Sequence, residues 1–563
     1  MSLMSSLYIG VSGLGTSQNS INTTAHNLSN VNTAGYVRQQ VVQADNPYLN
    51  WGITALSTLQ TGLGVNIATV RQIRDMFLDK SYRQEIGRQG FYEVQYEAVQ
   101  EIESMFGEME GVAFQNSLEN LWTSLEELSK TPELIEARAS VVQNAEEFIE
   151  RATIIQDQLK EYQRNLNTQI TDKVNKINDL AQQIYTLNKK ICQYESSGVE
   201  NANDLRDERN KLLDELGQII SISYKEKPNG IVTVTAEDVA LITEDTVYKM
   251  GTAKVSESSN LLKPVWLSYG GIDVFNFDRP ASAADNTDIG SLKGLLVARG
   301  DHTANYTDLN KSAEEYNKTI NTSAIMTVQA QFDQLIHGIV TAINDILCPN
   351  KTITNASGKS ITILDKDKAP AGMDENQTQG ETLFCRKYVA TYREPTEEEM
   401  VEFGLTKDDL VYNEEDPNDP YSLFTLGQIE VNKNIKSNYS LIPLSSNNGT
   451  GDVDMEAAQA LVSKWNEPFA TLSPNTLTKN TYMDYYTALI GELATRGQEL
   501  KSISENQTTL TENIDDERQK VMGVSSDEEL TNLIKYQHAY NASSRYITVI
   551  DEMLEHILST LGR

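Results

Sequence analysis

Five histidines, at positions 26, 302, 337, 538 and 556, are the first residues to test for chemistry. None stands in the H-E-x-x-H spacing that sets two imidazoles on one helical face around zinc. Glu552 and His556 are one helical turn apart, but they lie beside an apolar seam and read as a surface pair. Asp365-x-Asp367 opens like a calcium loop, yet Pro370 stands where that loop needs glycine. Gly10-x-x-Gly13-x-Gly15 follows no strand, so it is not a phosphate-cradling loop. In NANDLRDERNKLLDEL, Asp204, Asp207 and Glu208 lie beside Arg206 and Arg209. They read as a solvated, salt-bridged helix start. Cys192, Cys348 and Cys385 are odd in number and far apart, which points to free thiols rather than a disulfide framework or a zinc site. The sequence thus assigns no catalytic residue, cofactor or metal.

Composition narrows the class. The chain has 563 residues, with 80 acidic against 47 basic side chains and a formal charge of −33. Such a surface repels nucleic acid and anionic lipid, so neither is expected as a partner. No apolar run approaches the ~18 residues of a membrane span. Residues 1–37 contain no Lys or Arg, so a cleavable secretory signal is not supported. Export by another route stays open.

The elements that could position function are mostly helical. Leu7, Leu14, Ile21 and Leu28 form a heptad stripe near the N-terminus. Gly10, Gly13 and Gly15 interrupt it, each at a cost of about 1 kcal/mol against Ala. This segment should be helical only against a partner. NLSNVNTAGYVRQ then reads as a dense turn, with Asn30 and Asn32 bonding local backbone and Gly35 free to take positive φ. YLNWGITALSTLQTGLGVNIATV reads as strands.

Residues 73–220 are helical in pattern. Thr131-Pro132-Glu133 marks a helix start. From Phe148 to Tyr194 apolar residues recur at steps of three and four, a long coiled-coil stripe whose partner must come from elsewhere in the chain. Two hairpins follow, turning at Pro228-Asn229-Gly230 and Gly270-Gly271. Helical pattern returns at 292–347 and 482–522, the latter with Leu489, Leu493, Leu500, Ile503, Leu510, Ile514 and Val521. Residues 349–422 are rich in Thr, Asn, Asp and Pro and read as a β-rich or mixed insert. The last helix carries the cleanest stripe: Leu533, Tyr536, Tyr540, Ser543, Ile547, Ile550, Leu554, Ile557 and Leu561.

This nesting predicts a mainly α fold with inserted β-rich domains. Its expected parts are a terminal coiled-coil domain (1–60 with 525–563), a discontinuous helical rod domain (61–218, 290–348 and 423–524), a small β domain (219–289) and the insert (349–422). Both terminal stripes lack enough to bury against in one chain. Pairing them, and stacking pairs between subunits, would bury both.

Several stretches carry a family resemblance. NLSNVNTAGYVRQ resembles the N-x-x-N-x-x-T-x-G-Y motif of flagellar axial proteins, which include rod, hook and hook-associated proteins. GLGVNIATVRQIRDMFLD is similar to the segment that follows it in the hook-associated subset. NANDLRDERNKLLDELGQIISIS, GSLKGLLVARGD and SSDEELTNLIKYQHAYNASSRYITVIDEMLEHIL resemble the internal and C-terminal motifs of the hook–filament junction branch. Together they cover about a third of the chain, in order.

The resemblance implies a secreted structural protein of the bacterial flagellum, exported by its type III apparatus. It implies contacts with hook protein and with the second junction protein, self-association in a ring, and an export chaperone at the C-terminal helix. The assembly residues it marks, together with the stripes, are Leu7, Leu14, Ile21, Leu28, Asn30, Gly35, Tyr36, Leu533, Tyr536, Tyr540, Ile547, Ile550, Leu554, Ile557 and Leu561. Two alternatives stay open: another axial protein, hook-like or flagellin-like, or an enzyme displayed on the flagellum with its site in 349–422.

Overall fold

The computed structural model describes residues 3–53, 58–107, 114–198, 200–257, 259–279, 281–446 and 452–561. Helix α1 (Leu3–Ser29) opens the chain. It ends in the Asn-rich turn, where Gly35 takes φ 83°. Strand β1 (Gln39–Asp45) leaves that turn, β2 (Leu49–Ile53) and β3 (Thr58–Thr61) form a hairpin, and β4 (Val65–Gln72) returns to pair antiparallel with β1. Asp75 then caps α2 (Met76–Phe106), accepting from the amides of Phe77 and Leu78. An N-cap carboxylate satisfies amides that have no partner within the helix.

Helices α3 (Phe114–Lys130), α4 (Ile135–Glu195) and α5 (Asn203–Ile219) build the rod with α2. The expected α4 stripe is buried from Phe148 through Ile191 apart from the half-buried Tyr162, while Tyr194 is exposed. Two expectations are corrected here. Thr131 does not cap this helix: Leu134 holds the N-cap position without a side-chain bond, because the chain makes a turn across Thr131–Leu134 first. The stripe's partners come partly from its own segment, since α3 and α5 pack along α4, and partly, as expected, from later in the chain, where Met250–Lys254, Leu262–Trp266 and Ser291–Arg299 pack on it.

Strands β5 (Ile222–Glu226), β6 (Val232–Ala236) and β7 (Val239–Ile242) form one small sheet. Strands β8 (Met250–Lys254), β9 (Leu262–Trp266) and β10 (Ile272–Asp273) form another. Both hairpins turn where the glycines stand, with Gly230 at φ 78° and Gly270 at φ 77°. The expected 292–347 helix is broken into α6 (Ser291–Arg299), α7 (Ala313–Thr319) and α8 (Ala324–Leu347). Ser312 and Ser323 cap the later two through their hydroxyls. Phe332 of α8 meets Phe106 and Phe114 edge-on, with ring centres 5.4 and 4.9 Å apart, which ties α2, α3 and α8 into one core.

The insert holds β11 (Asn350–Thr354), β12 (Ser360–Leu364), β13 (Phe384–Arg386), β14 (Tyr392–Arg393), α9 (Glu397–Phe403) and β15 (Val411–Tyr412). Its sheet runs β11-β12-β15-β14 over a small cluster of Ile363, Leu405 and Val411. Strand β13 instead pairs with β16 (Ile429–Val431), so hydrogen bonding crosses the boundary expected at 422. Leu364, Leu383 and Phe384 belong to the main core. Helices α10 (Lys433–Ser437), α11 (Met455–Trp465), α12 (Tyr482–Met522) and α13 (Ser526–Leu561) complete the chain. Helix α12 runs back along α2, and α13 runs back along α1. The architecture is mainly helical with inserted β regions, as the sequence predicts.

Candidate assembly site

The face of α1 turned inward is made of small residues. Ser6, Gly10, Ser17, Ser20, Thr24 and Asn27 are buried, and Gly13 is half-buried between them. Their spacing alternates three and four, the period of a helix–helix seam. A Cβ on Gly10 would fall 2.7 Å from Ile547 Cγ1, and one on Gly13 would fall 2.9 Å from Ser543 Oγ. The glycines therefore set how closely α13 approaches, which offsets their poor helix propensity.

The turn after α1 is fixed by one side chain. Asn27 Nδ2 donates to the Gln39 carbonyl at 2.9 Å, and its Oδ1 accepts from the Gln39 amide at 3.0 Å. The Tyr36 hydroxyl donates to the same Oδ1 at 2.8 Å. Burial, with Asp204, Asp207 and Glu529 nearby, pushes that phenol well above its ordinary range. Asn27 Nδ2 also reaches Glu529 at 3.2 Å, and Arg38 pairs with Glu529 at 2.7 Å and Glu528 at 2.8 Å. One turn thus holds the end of α1, the start of β1 and the start of α13. The acidic first turn of α13 also suits the positive end of its helix dipole.

Beneath the turn lies a buried polar joint. Asp207 accepts from the Val37 amide at 3.1 Å and from Gln72 Nε2 at 2.6 Å. Asp204 accepts from Gln39 Nε2 at 3.0 Å. Asn203 Nδ2 donates to the Val70 carbonyl of β4 at 3.2 Å. The α5 start is salt-bridged as expected, through Arg206 to Glu195 and Glu226, with Asp204 and Glu208 exposed, but it is only partly solvated. Asp207 and Arg209 are buried, because this end of the helix abuts the β1–β4 sheet and the α4 terminus. Burial pushes the Asp207 carboxyl up to about 7, against the opposing pull of the Val37 amide and Arg74.

The joint continues as an ion-pair chain. Arg74 pairs with Asp79 at 2.9 Å, Arg518 with Asp79 at 2.8 Å and with Asp214 at 2.7 Å, and Arg83 with Asp214 at 2.7 Å. These groups join the start of α2, the middle of α5 and the end of α12. Burial alone would raise the Asp79 carboxyl, but the Arg74 hydrogen bond and the surrounding guanidinium charges hold it below the usual range. Losing one partner of a buried pair costs about 3–5 kcal/mol. The arrangement serves rigidity: charged side chains fix the terminal helix pair and sheet to the rod.

The structure places the expected assembly residues as follows. Leu7, Leu14, Ile21 and Leu28 are half-buried, one position round from the small-residue seam. Asn30 and Tyr36 are half-buried in the turn, and Gly35 is exposed. Leu533, Tyr536, Tyr540, Ile547 and Leu554 are half-buried toward α1, Ile550 is buried and Ile557 is exposed. The Leu561 side chain lies outside the described residues. Outward, α1 exposes Met4, Tyr8 and Val11, and α13 exposes Leu530, Ile534, Val549 and Met553. The end of α12 inverts expectation. It buries Ser504, Gln507, Thr511 and Arg518 against α2 and exposes Ile503, Leu510 and Val521.

Comparison with known proteins bears on this arrangement. Residues 99–361 match the family model of the flagellar hook-associated protein FlgK helical domain. Residues 7–36 match the flagella basal body rod protein model, and 519–560 match the flagellar basal body rod FlgEFG protein C-terminal model. The flagellar hook-associated protein 1 of Bacillus subtilis is 27% identical, over 99% of each chain. Over nearly all of its residues this chain is similar to flagellar hook-associated protein 1. The same-named proteins of Salmonella typhimurium and Escherichia coli are 25% and 24% identical, over 98% of each chain. The flagellar hook junction protein FlgK from Burkholderia pseudomallei shares the fold, with a TM-score of 0.52, 14% identity, and coverage of 79% of this chain and 100% of that one. The two rod-protein matches fall on α1 with its turn and on α13, the elements that the seam and the turn join. The hook-associated match begins in α2 and spans the rod, the small sheets and the start of the insert.

Proposed function

We propose that this chain is a structural subunit of the bacterial flagellum, exported to the axis and laid between hook and filament. The observation that carries the reading is the terminal pair. It is closed on its inner side by a small-residue seam, and it leaves large apolar side chains facing out on both helices. Burying such side chains between subunits is worth roughly 25 cal/mol per Å², and stacking around a closed ring would cover them.

On this reading the chain associates with hook and rod components of the axis. Its specific contacts are hook protein below, the second hook–filament junction protein above, and neighbouring copies in a ring. Before assembly, the outward face of α13 offers the export chaperone an amphipathic helix. The work is structural rather than catalytic, as the mutual pairing of the charges in the joint favours. The parts divide as a terminal domain, a helical rod, a small β domain and an insert stitched to the rod through β13 and β16.

Deleting the gene tests this. Cells should build hooks, fail to retain filament and release flagellin into the medium. Normal filaments in the deletion strain would overturn the reading.

A further inference from the structure

Two features near the joint lie outside the terminal pair. The first is a knob. Met76 and Phe77, on the first turn of α2, are 68% and 75% exposed. Single exposed apolar residues are ordinary, but two large neighbours on a rigid, capped helix start form a projecting patch. Lys80, three residues on and on the same face as Phe77, is exposed beside it.

The second is a cleft of about 330 Å³, lined on its apolar side by Ala34, Tyr36, Tyr82, Ile86 and Met522. Glu215 and Asp515 stand on the same lining, their side chains each 40% exposed, Glu215 3.4 Å from Lys176 and Asp515 3.7 Å from Arg518. The lining also holds Asp207 and Asp214, and the cations Arg74, Lys211 and Arg518. The cleft floor is fixed, because Arg518 stacks over Tyr82 at 4.6 Å while pairing with Asp79 and Asp214.

Knob and cleft share one helix but not one face. Phe77 and Ile86 are nine residues apart, about two and a half turns of an α-helix, so they project from opposite sides. One molecule cannot fill its own cleft. A second copy placed beside it can, with its knob carrying a cation toward a cleft whose carboxylates, Asp207, Asp214, Glu215 and Asp515, outnumber its cations, Arg74, Lys211 and Arg518. A head-to-tail contact of this kind repeats, and it closes into a ring when the rotation allows.

We infer that Phe77 of one subunit seats in the 34–36/82–86/522 cleft of the next copy of this chain, with Lys80 facing Glu215 and Asp515. The inference rests on the junction-subunit reading and adds a contact at the level of the joint, outside the terminal helices.

The test is cross-linking in isolated flagella. The accessible thiols are first removed with Cys192→Ser and Cys385→Ser. Lys80→Cys and Glu215→Cys are then combined, which leaves the apolar knob intact. A short bismaleimide should produce a ladder of covalent multimers from the double variant, and none from either single variant. A junction that contains the double variant yet yields only monomer would overturn the inference while leaving the functional reading standing. Dimers from Lys80→Cys alone would also overturn it, because they would mean a two-fold contact. Absence of the unsubstituted chain from control flagella would sink both. As a second measurement, Phe77→Ser should leave the monomer's thermal midpoint unchanged but lower retention of the chain in flagella at least tenfold, with Phe77→Leu restoring most of it. Equal retention for Phe77→Ser would again overturn the contact.

Discussion

The backbone amide of Val37 donates to the carboxylate of Asp207 at 3.1 Å, across 170 residues of sequence. This bond fastens the turn of the terminal domain to the N-terminal part of a rod helix, inside a buried site where both carboxylate oxygens already hold a donor. Replacing Asp207 with Asn removes one acceptor and should cost about 1–3 kcal/mol at pH 5. The pH dependence has a definite sign. The folded-state value, about 7, lies above the ordinary aspartate value. The folded chain therefore holds more protons than the unfolded one between the two values, and the stability that Asp207 contributes falls as pH rises through about 7. The gap between wild type and Asp207→Asn should be widest at pH 5 and narrow by pH 8. Urea midpoints at both pH values check this, and a gap that widens toward pH 8 would contradict it.

Gly10 and Gly15 make opposite predictions. A side chain at Gly10 meets Ile547, whereas one at Gly15 meets nothing within 4 Å. Gly15→Ala should gain up to about 1 kcal/mol of helix propensity and assemble normally. Gly10→Val should wedge α1 from α13, lower the helical signal of the monomer and abolish filament retention. Circular dichroism with a motility assay separates the two.

The legibility of the fold divides along the same line. The α4 and α13 stripes were readable because large apolar residues at steps of three and four have one economical solution, burial on a helical seam. The α1 seam was not, because Gly10, Gly13, Ser17 and Ser20 carry no hydrophobic signal. In isolation they register only as helix-weakening residues. Close approach becomes their purpose only once α13 lies opposite, more than 500 positions later in the chain. The inverted end of α12 has the same origin. Ile503 and Leu510 look like core, but Gln507 and Arg518 face α2, because Glu85 and Asp79 there supply hydrogen bonds of 2.6 and 2.8 Å. Asp207 reads as solvated for the converse reason: a charge in a polar run normally marks solvent, and nothing local reveals that Val37 and Gln72 will enclose it.

Outward-facing positions of α13 should separate folding from assembly. Ile534 is 56% exposed, so Ile534→Asp should change monomer stability by no more than about 0.5 kcal/mol. Buried between subunits, the same carboxylate would be unpaired and cost several kcal/mol. Cells carrying it should secrete the chain at normal levels but lose filaments. Ile547→Asp differs, because Ile547 lies against Gly10 within the chain, and it should perturb both the monomer and the junction. Identical behaviour of the two variants would refute this division.

The insert is stitched to the rod rather than hung from it. Phe384 is fully buried in the main core, and its carbonyl accepts from Asn344 Nδ2 at 2.9 Å. Replacing residues 349–422 with a Gly/Ser linker would leave β16 without its partner and Asn344 without its carbonyl. The thermal midpoint of the helical rod should fall markedly. Phe384→Ala alone should cost about 3–5 kcal/mol. An unchanged rod midpoint after the replacement would show that the insert folds independently.

Arg518 should be the most sensitive single position of the joint. It is 6% exposed and serves Asp79 and Asp214 at once, on two different helices. Arg518→Leu fills the space but takes from each carboxylate one of its two guanidinium partners, leaving Arg74 on Asp79 and Arg83 on Asp214, at up to about 3–5 kcal/mol. Arg518→Lys should recover little of this, because one ammonium cannot reproduce the planar fork that reaches both partners. Acid should then close the gap. Asp79 is held below the usual carboxylate range in the folded chain. It therefore contributes stability that is present above its unfolded value and lost as pH falls through its folded one. Wild type should exceed Arg518→Leu by the full amount at pH 7 and converge on it near pH 3. Urea unfolding across that range decides the matter: a constant gap would mean that Arg518 acts through packing on Tyr82 and not through its two carboxylates.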